Sequence, residues 1–476
     1  MSRSVRKPAH AVVIGASLAG LCAARALVDH VERVTVVDRD RFPDGPEIRT
    51  GVPQAHHLHV LITAGQRALD ELFPGLIAEL HERGAVPVAA PTDVLYLTPT
   101  GWRERFPPTH QLVGVSRELL DWVVRRRLAA EPTVRFLDGH EAVGLIPAGD
   151  AIAGVRLRPA GSRSPGDRPA ETRSDGDRPA GSGSEEVSLA ADLVVDASGR
   201  ASRTPRWLAE LGYGEPAESR IESGLGYASR RYVLPAGVAD GWKNIVLMPR
   251  APHDSRGGVL YPIEDDRWMV TLGGMGDDQP PTDEAGFLEF VRGMRSPVLY
   301  EAISDARPDS PIYGYRSTAN HRRRYESMSR WPEGFVVVGD AACTFNPVYG
   351  QGMSVAAQSG VALAAHLREH PGVFGRAAQA RLAAGSETAW LIATGADARY
   401  PTTVGAVPQQ GSRLSRWYLD RAADVANRDP YVARVLTDVL HLVAPISTLA
   451  RPSVVLRVLR GRPGPALWTP PPAPTP

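Results

Sequence analysis

"HAVVIGASLAG", His10 to Gly20, is the stretch on which the reading of this chain turns. The apolar run predicts a buried strand over residues 10–15. Residues 18–29 then predict a helix, and Val34–Val37 a second strand. A β-α-β start of this kind implies a parallel sheet. Gly15, Ser17 and Gly20 stand one substitution from G-x-G-x-x-G. Gly15 permits the tight strand-to-helix turn, the small Ser17 lets a pyrophosphate approach the backbone, and Gly20 lets the helix pack on the strand. The helix start adds free N–H groups and partial positive charge. Asp38 ends the second strand, 18 residues beyond Gly20. A carboxylate there accepts hydrogen bonds from both ribose hydroxyls and repels a 2′-phosphate, which favours FAD or NAD over NADP. The competing reading of Ser17 as a hydrolase nucleophile fails, because the elbow needs G-x-S-x-G and Ala19 fills the last position.

The chain has 476 residues, enough for two domains. Its net charge of +1 excludes a global field for nucleic acid. Two cysteines, Cys22 and Cys343, argue against a disulfide framework and fit a reducing cytoplasm. Basic Arg3, Arg6 and Lys7 precede an apolar run as in a signal peptide, but the spaced glycines mark the folded start of a domain. No uncharged apolar stretch reaches the ~18 residues of a membrane span, so stable membrane insertion is not expected.

Further along, Ser116 predicts an N-cap, with Leu119, Leu120, Val123, Val124 and Leu128 at helical spacing. Ile152–Arg158 and Val187–Asp196 predict strands. Between them lies a Gly/Pro/Ser-rich segment, 160–186, holding Gly-Asp-Arg-Pro-Ala twice; its composition predicts a disordered insertion at a hairpin tip. Tyr227–Leu234, Ile245–Pro249, Val259–Ile263 and Trp268–Leu272 predict an antiparallel sheet, with Glu264–Arg267 as a turn. Residues 284–294 predict a short helix. A strand–turn–helix returns at 335–365. The expected architecture is α/β: a discontinuous nucleotide domain over 9–90, 110–205 and 325–370, an inserted sheet domain over 91–109 and 206–324 for the substrate, a helical C-terminal region over 371–462 and a Pro-rich tail over 463–476.

"GDAACTFNPVYGQGMS", 339–354, follows the apolar run Phe335–Val338. An aspartate, a proline and two glycines make a poor core and a good backbone-lined cradle. A second nucleotide segment so far from the first points to a long ligand spanning the domain.

Four segments in order, Gly15–Gly20 with Asp38, Ser116-Arg117, "DASGRASR" at 196–203 and "GDAACTFNPVYGQG" at 339–352, resemble the FAD-dependent aromatic hydroxylase and epoxidase superfamily with the p-hydroxybenzoate hydroxylase fold. The resemblance implies a Rossmann-like, GR2-type FAD-binding domain. It implies contacts to FAD from Gly15, Ser17, Gly20, Asp38, Arg39, Arg49, Gln54, Arg117, Asp196, Gly339, Asp340, Gly350 and Gly352. Asp340 would bond a ribityl hydroxyl and Arg117 would neutralise the pyrophosphate. Pro347, Gly350, Gln351 and Gly352 would pass under the isoalloxazine ring, their backbone N–H groups facing N1 and the C2 oxygen. Ser198-Gly199 stands where many hydroxylases have Asp-Gly, so NAD(P)H is expected to act directly and transiently or through a flavin reductase. Cys343 replaces a usual histidine and reads as a packing residue.

"RTGVPQAHHLHV" at 49–60, "RELLD" at 117–121, "YPIEDDRW" at 261–268 and "FNPVYGQGMS" at 345–354 look like the actinobacterial polyether epoxidases of the monensin and lasalocid type. That resemblance implies epoxidation of a lipophilic polyketide or terpenoid by one oxygen atom of O2, carried by a C4a-hydroperoxyflavin. Epoxidation needs no protein base, and no acid–base pair is visible; phenol hydroxylation benefits from one. His57, His59, Trp242, Tyr261, Trp268, Tyr313 and Tyr315 are the candidate substrate-pocket residues; the histidines line the flavin pocket or pack beside it, and each of the five aromatics is at least as readable as core. A metal site at His56, His57 and His59 lacks a ligand cluster, so none is expected. A halogenase of this fold would use a lysine in the N-terminal part of the chain and a W-x-W-x-I-P motif; no lysine falls between Lys7 and Lys243, and the motif is absent. The remaining alternatives are an aromatic hydroxylase, a geranylgeranyl-type flavin reductase and a non-redox FAD-containing cyclase.

Overall fold

Five parallel strands form the central sheet in the order Phe335–Val337, Leu193–Asp196, Ala11–Ile14, Val34–Val37, Val134–Leu137. The structure is a computed structural model and describes residues 7–161, 186–405, 413–461 and 469–472. The inner strands are apolar without alternation because both faces are covered. Val13, Val34, Val36, Val195 and Val336 face the helices Leu18–Val28, Arg117–Ala129 and Gly352–Glu369. Val12, Ile14, Val37, Val194 and Phe335 face a three-stranded antiparallel sheet, His140–Ala148, Ala151–Pro159 and Val187–Ala190, and the helix Thr204–Glu210.

The expected single strand Val187–Asp196 is two strands in two sheets. The chain changes sheet at Ala191–Asp192, where the Asp192 carboxylate accepts from the N–H groups of Ala9 and His10 at 2.7 and 3.0 Å. Val187–Ala190 pairs back on Ala151–Pro159, so segment 160–186 joins two hairpin strands. All of that segment but residues 160, 161 and 186 lies outside the described residues, as does the tail 463–476 apart from 469–472.

The second sheet runs Arg307–Pro308, Leu225–Val233, Trp268–Met275, Gly257–Pro262, Asn244–Leu247, Val94–Thr98, Gly101–Trp102, with Tyr313–Tyr315 also on Leu225–Val233. Its pairings are antiparallel except one: Val94–Thr98 runs parallel to Asn244–Leu247. Period-2 alternation divides its faces. Leu95, Leu97, Ala228, Tyr232, Ile245, Leu260, Val270 and Leu272 pack on the helices Glu284–Arg292 and Val298–Ile303. Tyr96, Ser229, Val246, Val259, Tyr261 and Thr271 turn to the opposite face, toward segment 57–60. The expected turn is the tight hairpin around Asp265 and Asp266, both at positive φ. It brings Glu264 Oε2 to the N–H of Ser116 at 2.9 Å, and a partly buried Glu118–Arg231 ion pair ties the same helix to the sheet.

The helices Arg413–Val425, Pro430–Leu440 and Pro452–Arg460 share one small core. His110 to Asp438 at 3.0 Å and Asn427 to Thr98 at 2.9 Å fasten it to the rest. Among the described residues no helix is long and apolar enough to cross a membrane.

Candidate cofactor cleft and substrate wall

The glycine-rich turn is built as its spacing requires. Gly15 sits at φ +101°, and a Cβ there would lie 2.5 Å from the Ala197 carbonyl oxygen. A Cβ on Gly20 would lie 1.8 Å from the Gly15 carbonyl oxygen, so only glycine lets the helix start this close. Ser17 is the N-cap of the Leu18–Val28 helix, and its hydroxyl does not cap it. Instead Arg117 Nη2 donates to Ser17 Oγ at 2.9 Å, while Arg117 Nε donates to Asp121 at 2.7 Å. A buried guanidinium thus stands at the positive end of the first helix.

Asp38 ends its strand as expected, but it is not a free carboxylate. It accepts from the N–H groups of Ala16 and Asp40 at 2.6 and 2.9 Å and pairs with buried Arg49 at 3.4 Å. Arg49 also donates to the Ala16 carbonyl at 2.9 Å. Carboxylate lone pairs remain for a ribose. Arg39 beside it is exposed, and Gln54 is half-buried in the turn Pro53–His56. Asp196 is fully buried, and its oxygens are engaged by Ser198 N–H, Ser202 Oγ and Thr204 Oγ1. Its place in the structure is under the 197–204 loop, as the anchor of that loop.

The loop 339–352 begins against this turn. Gly339, at φ +61°, approaches so closely that a Cβ would lie 2.5 Å from the Ala19 Cβ. Asp340 is solvent-exposed, yet the surrounding protein raises its carboxyl pKa, with Arg200 and Arg117 opposing the rise. Pro347 opens a 3-10 turn that Gly350 closes at φ +65°. Gly352, the first residue of the Gly352–Glu369 helix, has no atom within 4 Å of where a Cβ would be. Protein packing does not require that glycine. Gln351 is buried, with Oε1 lacking a protein partner.

Sequence reasoning missed what holds this loop. Fully buried Asn346 caps the turn by accepting from Val348 N–H at 3.2 Å and donates to Asp397 at 3.0 Å. Asp397 also accepts from Asn320 at 2.6 Å and the Tyr349 hydroxyl at 2.7 Å. It lies at the end of the helix Glu387–Asp397, where no local motif marks it. Cys343 is buried and its thiol is pushed up to about 12, chiefly by that burial, as suits a packing residue.

The predicted pocket residues divide between the two faces of the second sheet. Trp242 and Trp268 pack edge to face at 5.8 Å on the helix-covered core, so they do not line the other face. Tyr261 lies on the opposite face, fully buried in one cluster with Val88, Ala90 and Leu112, its hydroxyl without a partner. His56 stacks on Tyr313 at 3.8 Å. His57 packs edge-on against Tyr227 at 4.7 Å and Tyr315 at 5.5 Å, and its Nδ1 lies 2.9 Å from Ser229 Oγ. Ser229 lies 2.7 Å from Thr271 Oγ1, which accepts from Leu58 N–H at 3.2 Å. Leu58 N–H, Thr271, Ser229 and His57 thus form one hydrogen-bonded chain. His59 Nδ1 lies 3.0 Å from the His57 carbonyl. Burial lowers His57 to about 4 and His59 to about 3, so both rings are neutral at physiological pH. The three histidines turn to separate partners, and among the described residues no group of three His, Cys, Asp or Glu is arranged for a metal ion.

No family model matches the chain. Its fold is that of the flavin-dependent monooxygenases and halogenases. A flavoprotein/dehydrogenase from Cytophaga hutchinsonii superposes with TM-score 0.63 at 15% identity, over 94% of this chain and 95% of that one. PqsL of Pseudomonas aeruginosa, a probable FAD-dependent monooxygenase, gives 0.57 at 19% over 82% and 94%. The flavin-dependent halogenase CmlS gives 0.60 at 18% over 89% and 73%. In sequence, the chain is 32% identical to Protein Rv3254 of Mycobacterium tuberculosis over 93% of its own length and 92% of that protein's, and it belongs to the same family. It is 28% identical to the kynurenine 3-monooxygenase of Salinispora arenicola over 77% of this chain and 74% of that one.

Proposed function

We propose that this protein is an FAD-dependent monooxygenase that transfers one oxygen atom of O2 to a lipophilic small molecule, with alkene epoxidation as the favoured reaction. The reading is supported by the Gly15–Gly20 turn and the 339–352 loop meeting at Ala19 and Gly339, with Arg117 on Ser17 and no side chain packed where Gly352 lacks one. The residues present fit FAD. Arg117 and the helix start meet a pyrophosphate, Asp38 a ribose, and Asp340 a ribityl hydroxyl. The surface above Gly352 is left for a flat ring. When bound and reduced, FAD supplies the electrophilic oxygen through its reaction with O2. The N-terminal amides of the Gly352–Glu369 helix would stabilise negative charge on such a ring without a reactive side chain. NAD(P)H, directly or through a flavin reductase, is the proposed electron source.

The substrate wall bears on the choice of reaction. Its two inner histidines are weak bases, at about 4 and about 3, so neither takes a phenolic proton effectively at neutral pH. Oxygen transfer to an alkene asks only for orientation and exclusion of water. The test is to purify the protein, record its visible spectrum, then supply NAD(P)H, O2 and a lipophilic polyene. Flavin absorption and mass gains of one oxygen atom each are expected. Consumption of NAD(P)H without oxygen uptake refutes the oxygenase, and an unchanged product mass points to a non-redox cyclase.

A second reading, aromatic hydroxylation, is favoured by the likeness to kynurenine 3-monooxygenase. The same assay with phenolic and anthranilic substrates separates the two. Halogenation has less support: Lys243 is tied to Asp93 at 3.2 Å and to the Pro87 carbonyl at 3.0 Å.

A further inference from the structure

One row of side chains crosses the face of the second sheet that is turned away from its helices. Tyr313 is in register with Ser229, Ser229 with Thr271, Thr271 with Val259, Val259 with Val246, and Val246 with Tyr96. The row is polar at the His57 end, apolar in the middle and aromatic at Tyr96. Strand spacing makes it about 19 Å from Ser229 to Tyr96. Leu58 and Val60 pack on its middle, and Gly350 of the cofactor loop comes within 3.8 Å of Val60 when a Cβ is built on it. The row therefore runs past the place where the ring loop meets the sheet.

Arg103 ends the row. The chain alternates beyond Trp102, whose ring is in the helix-covered core, and this turns Arg103 to the same face as the row with its guanidinium 4.7 Å over the Tyr96 ring. Arg103 is only 9% exposed. Among the described residues no carboxylate pairs with it and no side-chain acceptor takes its protons. Its Nε is sealed from solvent without a partner, while the Nη groups are not. Burial lowers its pKa, and Tyr96 is the one neighbour that offsets this. An isolated buried cation costs several kcal/mol unless an anion meets it.

We infer that Arg103 is the anchor for an anionic head group, a carboxylate, at one end of an elongated lipophilic substrate whose chain lies along Val246 and Val259 toward the cofactor loop. The inference rests on the proposed function only for the word substrate; the site itself is an acid-binding site whatever the chain catalyses. Planar, bidentate recognition of a carboxylate is what a guanidinium provides best.

The experiment is a fluorescence titration of the full-length protein with cis-parinaric acid, a polyene carboxylate, and with its methyl ester, at neutral pH. Wild type is expected to bind the acid about 10-fold or more tightly than the ester, the range of a charge-assisted hydrogen bond. In R103Q the two dissociation constants converge to within about twofold, the ester's staying at its wild-type value, and R103K keeps part of the preference. Thermal unfolding of each variant checks folding. Wild type that binds acid and ester alike, or binds neither, overturns the proposal, as does an R103Q that weakens both equally while folded. Flavin content of the same samples separates the two claims. A protein that neither carries nor takes up FAD but shows Arg103-dependent acid selectivity keeps this site and loses the oxygenase, and a flavin-binding protein without the selectivity does the reverse.

Discussion

Arg117 Nη2 reaches the hydroxyl of Ser17 at 2.9 Å, although the two residues are 100 positions apart. The contact places a buried cation at the N-terminus of the first helix, where a pyrophosphate would be met by both. Replacement by lysine keeps the charge and loses the fork that serves Ser17 and Asp121 together. R117K is expected to weaken FAD binding about 10-fold or more, from one lost charge-assisted bond. Titration of the protein with FAD, followed by quenching of flavin fluorescence, reads the effect. Unchanged affinity removes Arg117 from the site.

Gly20 and Gly352 give opposite expectations for the same substitution. A Cβ at Gly20 meets the Gly15 carbonyl oxygen at 1.8 Å, so G20A costs about 3 kcal/mol or more and is read as lost soluble expression or lowered Tm. A Cβ at Gly352 meets nothing within 4 Å, and alanine favours a helix start, so G352A leaves stability equal or raised by about 0.5–1 kcal/mol. Its FAD affinity falls, because the methyl occupies the surface proposed for the ring. A G352A protein with unaltered flavin affinity and spectrum contradicts that placement.

His57 gives a pH dependence with a definite sign. Its folded value of about 4 lies below the ordinary 6.5, so between these values the unfolded chain binds the proton and the folded one does not. Stability therefore falls as pH drops from about 6.5 to about 4, by about 3 kcal/mol from this group. Tm measured across that window is expected to fall less steeply in H57Q than in wild type. Parallel curves contradict the assignment of a buried neutral imidazole.

Arg103 should cost the free protein stability. R103M keeps the stem against Tyr96 and removes the uncompensated charge, so it is expected to unfold about 1–3 kcal/mol later in urea than wild type. Loss of stability of that size indicates an anionic partner for the guanidinium within the fold.

The parts of this architecture that follow from local pattern were legible in the sequence. Gly15, Gly20 and Asp38 mark a strand–turn–helix–strand by spacing alone, and Ser116 caps its helix by accepting from Leu119 N–H at 3.2 Å. What depends on tertiary pairing was not legible. The run 187–196 is apolar enough for one strand, and only the Asp192 contacts show where it changes sheet. Trp242 and Trp268 have the composition of pocket residues, but the register of their strands turns them to the helix-covered face. Asp196 has the position of a ligand contact, but its oxygens are used by its own loop. Asp397 and Arg103 gave no motif, since each acquires meaning from what the fold brings to it, or fails to bring.

The most direct test of the account is the binding of FAD by the purified full-length protein. A yellow protein is expected, or a colourless one that takes up an equimolar amount of FAD in a calorimetric titration, with binding weakened in both R117K and G352A. A colourless protein that binds no FAD in that titration contradicts it.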